Sequence, residues 1–286
     1  LRRQRQMCIR DRVDNGYVKG WDDPRMPTIA GLRRRGYTPR ALRKFVLAAG
    51  VAKRENVIDI SLLEHSIRED LNKISPRVMA VLKPIKLTIL NYPETKTETL
   101  EGEINPEKPE LGKRKIPFSK QLYIEPEDFK EVANRKFFRL AIGKEVRLKN
   151  AYIIKAVDIV KDQEGNISEV LCEYDQKSKS GSNTPESNRK VKGTIHWVSA
   201  KDAVIAKINI YDRLFKVEEP GKNSTIEKEI NENSLITTEA LVEPYLSRAR
   251  DGQQYQFQRL GYFVKTDNKK TLEFNKTVGL RDGWKK

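Results

Sequence analysis

Cysteine and histidine are almost missing from this chain: two of each in 286 residues. Cys8 and Cys172 stand far apart and match neither a metal-ligand spacing nor a disulfide framework. A reducing, cytoplasmic setting is the expectation. Cys172, inside the run VLCEY, reads as a core strand residue. His65 and His196 are isolated from one another and are expected to be structural. No Gly-rich phosphate loop, Cys/His cluster or Ser-His-Asp arrangement stands out, so neither a catalytic residue nor a metal site is expected. Long apolar runs are also missing. None approaches the roughly 20 residues of a membrane helix, and there is no signal-peptide core. Acidic residues are in deficit, 40 against 56 Lys and Arg, for a net charge of +16 and a pI near 9.7.

That excess suits a polyanion, either nucleic acid or an anionic membrane. It is concentrated at the start, where residues 1–54 hold 15 Lys and Arg but 4 Asp. With 37% hydrophobic residues the chain can bury real cores, and its length suggests about two domains. Leu1 to Arg12, LRRQRQMCIRDR, does not fit the rest of the chain. Met7 to Asp11 is what a common transposon-end sequencing adapter encodes when translated. The segment 1–12 is therefore expected to be a non-native tail, the other reading being a genuine basic arm. It carries 5 Arg and 1 Asp, so a large positive excess remains without it.

Residues 13–76 read as helical. Thr28 caps a short helix ending at Gly36. Thr38-Pro39 starts a second that Gly50 closes, with Leu42, Phe45, Val46 and Ala49 on one face. Ser61-x-x-Glu64 has the form of a capping box. Behind it Leu63, Ile67 and Leu71 form a stripe that stops before Pro76. Arg33, Arg34, Arg35, Arg40, Arg43 and Lys44 lie largely off these stripes, as a solubilising or a phosphate-contacting face. From Val78 the pattern turns to strands: 78–81, 85–90, 122–124, 151–161, 167–174, 191–197, 203–210, 260–265 and 271–275. Tyr92 to Arg114 reads as a long loop, Pro126 to Asn134 as a short helix, Gln163 to Asn166 as a hairpin turn, and Lys177 to Lys190 as a mobile segment. Many short strands with polar turns favour barrels.

The stretch Phe137 to Lys155, FFRLAIGKEVRLKNAYIIK, reads as strand, Gly turn, strand. Val146 and Leu148 alternate with Arg147 and Lys149, one aliphatic face and one cationic. Arg139, Phe137 and Phe138 add a third cation and two rings. Such a surface holds unstacked RNA bases, with charge for phosphates, guanidinium forks for base edges and rings for stacking; a solvated strand face in a basic protein is the other reading.

This stretch, with IHWVSA (Ile195 to Ala200), IYDRLF (Ile210 to Phe215) and TVGLRDGW (Thr277 to Trp284), resembles the anticodon-binding part of the glutaminyl-tRNA synthetase family, a class I aminoacyl-tRNA synthetase. GWDDPRMPTIAGLRRRGYT (Gly20 to Thr38) is similar to the segment after that family's catalytic domain. The resemblance implies an α+β, mainly β chain. Residues 13–76 would form a helical connecting subdomain and 77–286 an anticodon-binding domain of two β-barrels. The proximal barrel would comprise about 77–134 and 211–286, with the distal barrel, about 135–210, inserted. It also implies a full enzyme that joins glutamine to its tRNA with ATP and magnesium, and a chain that, as given, binds tRNA without charging it. No cofactor is expected in this part. The implied partners are glutamine tRNA and an N-terminal catalytic domain, with no membrane, in a monomer. The alternatives are glutamyl-tRNA synthetase of the archaeal and eukaryotic type and a free-standing tRNA-binding module.

Carried over residue by residue, the resemblance places Asn72, Arg77, Lys136, Arg139, Arg147, Lys149, Gln256, Arg259 and Arg281 at the anticodon. It places Lys53, Arg54 and Asn56 at the inner corner of the tRNA. Arg77, Gln256 and Arg259 would read the middle base, Arg139 the third, and Arg147 with Lys149 the first. Four positions depart from the family pattern. Lys136 replaces a Gln and cannot accept a hydrogen bond. Lys149 replaces an Arg and loses the bidentate fork. Phe138 replaces a Lys, and Gly283 replaces a Thr.

Overall fold

The computed structural model describes residues 10–50, 58–217, 220–221 and 224–281. Two seven-stranded sheets carry the chain from Arg77 on, and each is closed by one short segment that pairs with both of its edges. In the first sheet, Arg77–Val78 runs parallel to Gln256–Phe257, and Ala80–Val81 antiparallel to Leu241–Val242. Between these edges lie Gly261–Lys265, Glu273–Val278 and Val204–Tyr211. The second closes the same way. Thr194–Ile195 pairs with Arg147–Leu148 and Val198–Ser199 with Leu122–Tyr123, around Ile153–Lys161, Ile167–Tyr174 and Ile85–Ile89. Closure leaves few backbone groups on open edges. The expected mainly β architecture with two barrels is what the chain adopts.

The expected division of the barrels needs correction. Ile85–Ile89 and Gln121–Ile124, placed by expectation in the proximal barrel, pair with each other and with the distal strand Ile167–Tyr174. The inserted barrel therefore runs from about 82 to about 203, not 135 to 210. Strand periodicity reports a buried face but not the partner, so it was silent on this.

Each barrel has an aromatic interior. Phe257 and Phe263 stack at 4.2 Å in the first. In the second, Phe118 meets Tyr92 and Trp197 edge-on at 5.2 and 5.1 Å. The Trp197 indole donates to the Lys149 carbonyl at 2.9 Å, tying the closing segment to the cationic strand. Cys172 is a fully buried strand residue, as expected, and burial pushes its thiol pKa up.

Tyr92 to Arg114 is not simply a loop. Glu98–Glu103 and Lys113–Phe118 form an antiparallel hairpin within and beyond it. Its inward positions include Gly102 and Arg114, which break the apolar alternation. A Cβ at Gly102 would lie 2.6 Å from Asn150 Nδ2 and 2.8 Å from Ile116. The Arg114 guanidinium, fully buried, grips Glu243 through Nε at 2.5 Å and Nη2 at 3.3 Å and donates to the Glu103 carbonyl at 2.8 Å. Leu235–Val242, which the sequence pattern did not reveal as a strand, pairs along its whole length with Val204–Tyr211. Its outward Thr and Glu residues hid it.

Among the described residues, a helical turn at 10–14 and the helices α1 (Ile29–Arg34), α2 (Pro39–Ala49) and α3 (Ile60–Ile74) precede the barrels. Thr28, Thr38 and Gly50 act as expected. Asp59, not Ser61, caps α3, because its carboxylate accepts from the Ser61 N–H at 2.8 Å. On α2 the expected face is only partly covered, Val46 being 57% exposed. Ile67 and Leu71 of α3 pack with Tyr37 against Tyr262 and Val278 of the first barrel. Gly36, at φ +93, fits this junction since a Cβ there would meet Val264 at 2.8 Å. Three further corrections are local. The expected 126–134 helix is one 3-10 turn, Pro126–Asp128, followed by Phe129–Lys130 paired to Leu140–Ala141. Phe137 to Arg139 are irregular, so only Leu140–Ala141 and Glu145–Leu148 form strands around the Gly143 turn. The 177–190 segment is tied down, with Asp175 and Thr184 capping two short turns.

The Arg114–Glu243 pair joins the hairpin to the first barrel, and the Glu243 carboxylate also accepts from the Met79 N–H at 3.2 Å. Replacing Glu243 by Ala leaves a buried guanidinium uncompensated and should lower unfolding free energy by about 3–5 kcal/mol in urea titration. A loss under about 1 kcal/mol would mean that the pair does not hold the hairpin.

Candidate nucleic-acid interface

Backbone pairing brings the first group of predicted residues together. Arg77 lies opposite Gln256 in the parallel pair, and Gln256 opposite Tyr262 on the next strand. Their side chains form one network with Asn72 from the last turn of α3. Gln256 Nε2 donates to the Tyr262 hydroxyl at 3.1 Å, and that hydroxyl donates to Asn72 Oδ1 at 3.2 Å. Arg77 Nη2 donates to the same oxygen at 3.2 Å. Glu107 accepts from Asn72 Nδ2 and lies 3.6 Å from Arg77 Nη2. Asn72 is thus no helix cap: α3 ends at Ile74, with Ser75 as its C-cap. Tyr262 is buried, which pushes its hydroxyl pKa up and keeps it a neutral donor. Each of these side chains is held in place by the others.

Arg259 follows the same strand with φ +68, a left-handed backbone uncommon outside glycine. Its guanidinium forks onto Asp128, which is 1% exposed. Arg139 approaches the same carboxylate at 3.4 Å and donates to the Glu127 carbonyl at 2.9 Å.

A cleft of about 710 Å³ collects Arg77, Gln256 and Arg259 from the first barrel and Lys149 from the second. Lys113, Lys179, Asn150 and Gln258 also line it, none of them singled out from the sequence. Lys113 and Lys179 each pair with a glutamate, Glu101 and Glu98. A second cleft, about 1290 Å³, holds Arg139, Arg281, Arg35 and Lys276, and Arg259 lines both. Burial, then the nearby Arg35, pull the Lys276 pKa down. The clefts are cationic and open, suited to a polyanion.

Other predicted residues stand elsewhere. Arg147 is not a free cation on an open face. Its Nη1 donates to the Ser178 carbonyl at 3.0 Å, and its Nη2 to those of Ser187 and Arg189 at 2.7 and 3.3 Å. Burial, then the neighbouring Arg189, draw its pKa below the usual range. Lys149, next but one, is exposed. Lys136 is exposed and lines neither cleft. Phe138 is 52% exposed with the Lys192 amine 5.6 Å from its ring, so a cation accompanies the position where the family pattern has a lysine. Lys53, Arg54, Asn56 and Gly283 lie outside the described residues. His65 is exposed on α3, and His196 is buried beside Arg259. Among the described residues no group of His, Cys, Asp and Glu could hold a metal ion.

The contrast between Arg147 and Lys149 can be measured. Arg147→Ala leaves three carbonyls without their donor and should cost about 2–3 kcal/mol of stability in chemical denaturation. Lys149→Ala should stay within about 0.5 kcal/mol of the parent while weakening RNA binding. The opposite pattern would reverse the assignment.

Comparison with known proteins agrees with this geometry. A family model described as tRNA synthetases class I (E and Q), anti-codon binding domain, matches residues 75–175, and a second model of the same description matches 194–266. The catalytic-domain model of that class matches residues 4–73, so it takes in the helical segment. A glutamine--tRNA ligase of Aliivibrio fischeri (strain MJ11) is 52% identical over 276 residues, 95% of this chain and 50% of that protein. One from Rhodopirellula baltica is 53% identical over 281 residues, 96% of this chain and 46% of that protein. One from Vibrio vulnificus (strain YJ016) is 52% identical over 277 residues, 96% of this chain and 50% of that protein. The chain spans about half the length of the curated relatives it matches. With two closed barrels, a cationic cleft lined from both and matches along nearly its whole length, the chain belongs to the class I glutaminyl- and glutamyl-tRNA synthetase family and carries its anticodon-binding domains.

Proposed function

We propose that this chain is the tRNA-recognition part of a glutamine–tRNA ligase, reading the glutamine anticodon. The observation that carries the proposal is the convergence of Arg77, Gln256, Arg259 and Lys149 from two barrels on one cationic cleft. Unstacked anticodon bases would meet fixed donors there, while the surrounding lysines neutralise phosphates. Arg77 and Arg259 supply donors only. Gln256 and Asn72 can both donate and accept, so the set can distinguish base edges rather than only attract charge. Of the four departures from the family pattern, Lys149 falls at the first base, and none falls on Arg77, Gln256 or Arg259, the middle-base set.

In the whole enzyme this contact would orient the tRNA so that its acceptor end reaches a catalytic site where glutamine and ATP, with magnesium, react. In both clefts cations outnumber carboxylates, and among the described residues no cluster of three or more His, Cys, Asp or Glu could hold a metal ion. No step of that chemistry is assigned to the residues described. The enzyme would work in the cytoplasm as a monomer. Among the described residues no helix is long and apolar enough to cross a membrane.

Binding of the chain to glutamine tRNA, at one fixed salt concentration, should weaken about tenfold or more when the middle anticodon base is changed. Arg259→Ala should remove that difference. Equal binding of the two tRNAs by the parent chain would reduce the clefts to a basic surface.

A further inference from the structure

One buried carboxylate holds two arginines that come from different barrels. Arg259 leaves the first barrel just after Gln254–Phe257. Arg139 precedes Leu140–Ala141, and Leu140 is packed in the core of the second. Asp128, 1% exposed, stands between them on its 3-10 turn. Arg259 donates Nη1 to Asp128 Oδ2 and Nη2 to Oδ1, and Arg139 Nη1 lies 3.4 Å from the same Oδ1.

His196, 2% exposed, completes the arrangement. Its Nδ1 is 3.3 Å from Arg259 Nη1. A guanidinium only donates, so in this contact the ring nitrogen takes the acceptor's place. Nε2 lies 3.8 Å from Glu125 Oε1. Glu125 is itself fixed by the backbone N–H groups of Leu82 at 2.6 Å and Lys83 at 3.2 Å. His196 thus lies between Arg259 and the point where the second barrel begins, its Nε2 making no hydrogen bond.

Asp128 takes one hydrogen from each Nη of Arg259. The Nε–H and the second Nη2–H form another fork on a side chain 32% exposed at the meeting of both clefts. Without the carboxylate, two partly exposed guanidinium groups would face one another with no opposite charge between them, and each would lose the partner that holds it.

We infer that Asp128, backed by His196, is a positioning residue that sets Arg139 and Arg259 as one unit. Recognition of the middle and third anticodon bases is then coupled through this carboxylate. The inference rests on the anticodon reading proposed above, and Asp128 itself touches no base.

The test uses glutamine tRNA, its middle-base variant, its third-base variant and a tRNA changed at both. Each is titrated with the parent chain, Asp128→Asn, Asp128→Glu, Arg139→Ala, Arg259→Ala and the double arginine variant. Asp128→Asn should lose at least about fivefold discrimination at both positions together. Its binding to the doubly changed tRNA and its salt slope should stay within about twofold of the parent. A merely structural defect would weaken all four tRNAs alike. Asp128→Glu should restore part of the discrimination. In the parent background, the effects of Arg139→Ala and Arg259→Ala on glutamine tRNA should depart from simple multiplication by about fivefold. That cycle decides the matter alone if Asp128→Asn fails to fold. If the parent chain does not discriminate, the proposed function falls. If the parent discriminates but Asp128→Asn does so equally, or the arginine effects multiply, the positioning role is overturned.

Discussion

Five residues, 77–81, hold the first barrel closed by pairing with its two opposite edges. All four of Val78 to Val81 are fully buried, so the segment cannot slip without exposing its core contacts. The pairing also sets the chemistry. Because Arg77 must lie opposite Gln256, two side chains far apart in sequence meet at one point of the surface. The second barrel repeats the device with residues 194–199 and thereby buries His196 beside Arg259. Closure and site formation are therefore one event.

Electrostatics depend on that frame. The chain carries a large positive excess, yet the cations in its clefts are not loose. Glu107 steadies Asn72 and Arg77, Asp128 steadies Arg139 and Arg259, and Glu98 steadies Lys179. An isolated guanidinium costs rotamer entropy when it binds, whereas one already fixed by a carboxylate loses less. The carboxylates reduce raw attraction to phosphate and increase selectivity of geometry. Arg147 differs from these, since it is held by backbone carbonyls and not by a carboxylate.

Much of the architecture was legible in order of elements but not in partnership. The α1 and α2 caps, the hairpin around Gly165 and the buried Val146–Leu148 face were readable because they depend on neighbours within a few residues. The extent of the inserted barrel was not, since pairing of Ile85–Ile89 with Ile167–Tyr174 leaves no trace in either strand's own pattern. The hairpin 98–118 was hidden because a glycine and a paired arginine occupy positions where alternation requires apolar residues.

The sequence by itself determined a surface suited to polyanions, through a net charge of +16, and the family, through long collinear motifs. It also supplied some of the residues that meet in the clefts, Arg77, Lys149, Gln256, Arg259, Arg139 and Arg281, but not Lys113 or Lys179. Only the tertiary structure decided which of those cations line an open cleft and which are bonded to their own backbone. Arg147 and Lys149 are alike in the linear pattern, and they separate only when a loop about 30–40 residues downstream folds its carbonyls over one of them. Asp128 and His196 carry no local signal at all. Their role arises from long-range contact, and electrostatic partnership of that kind is written in distance rather than in spacing along the chain.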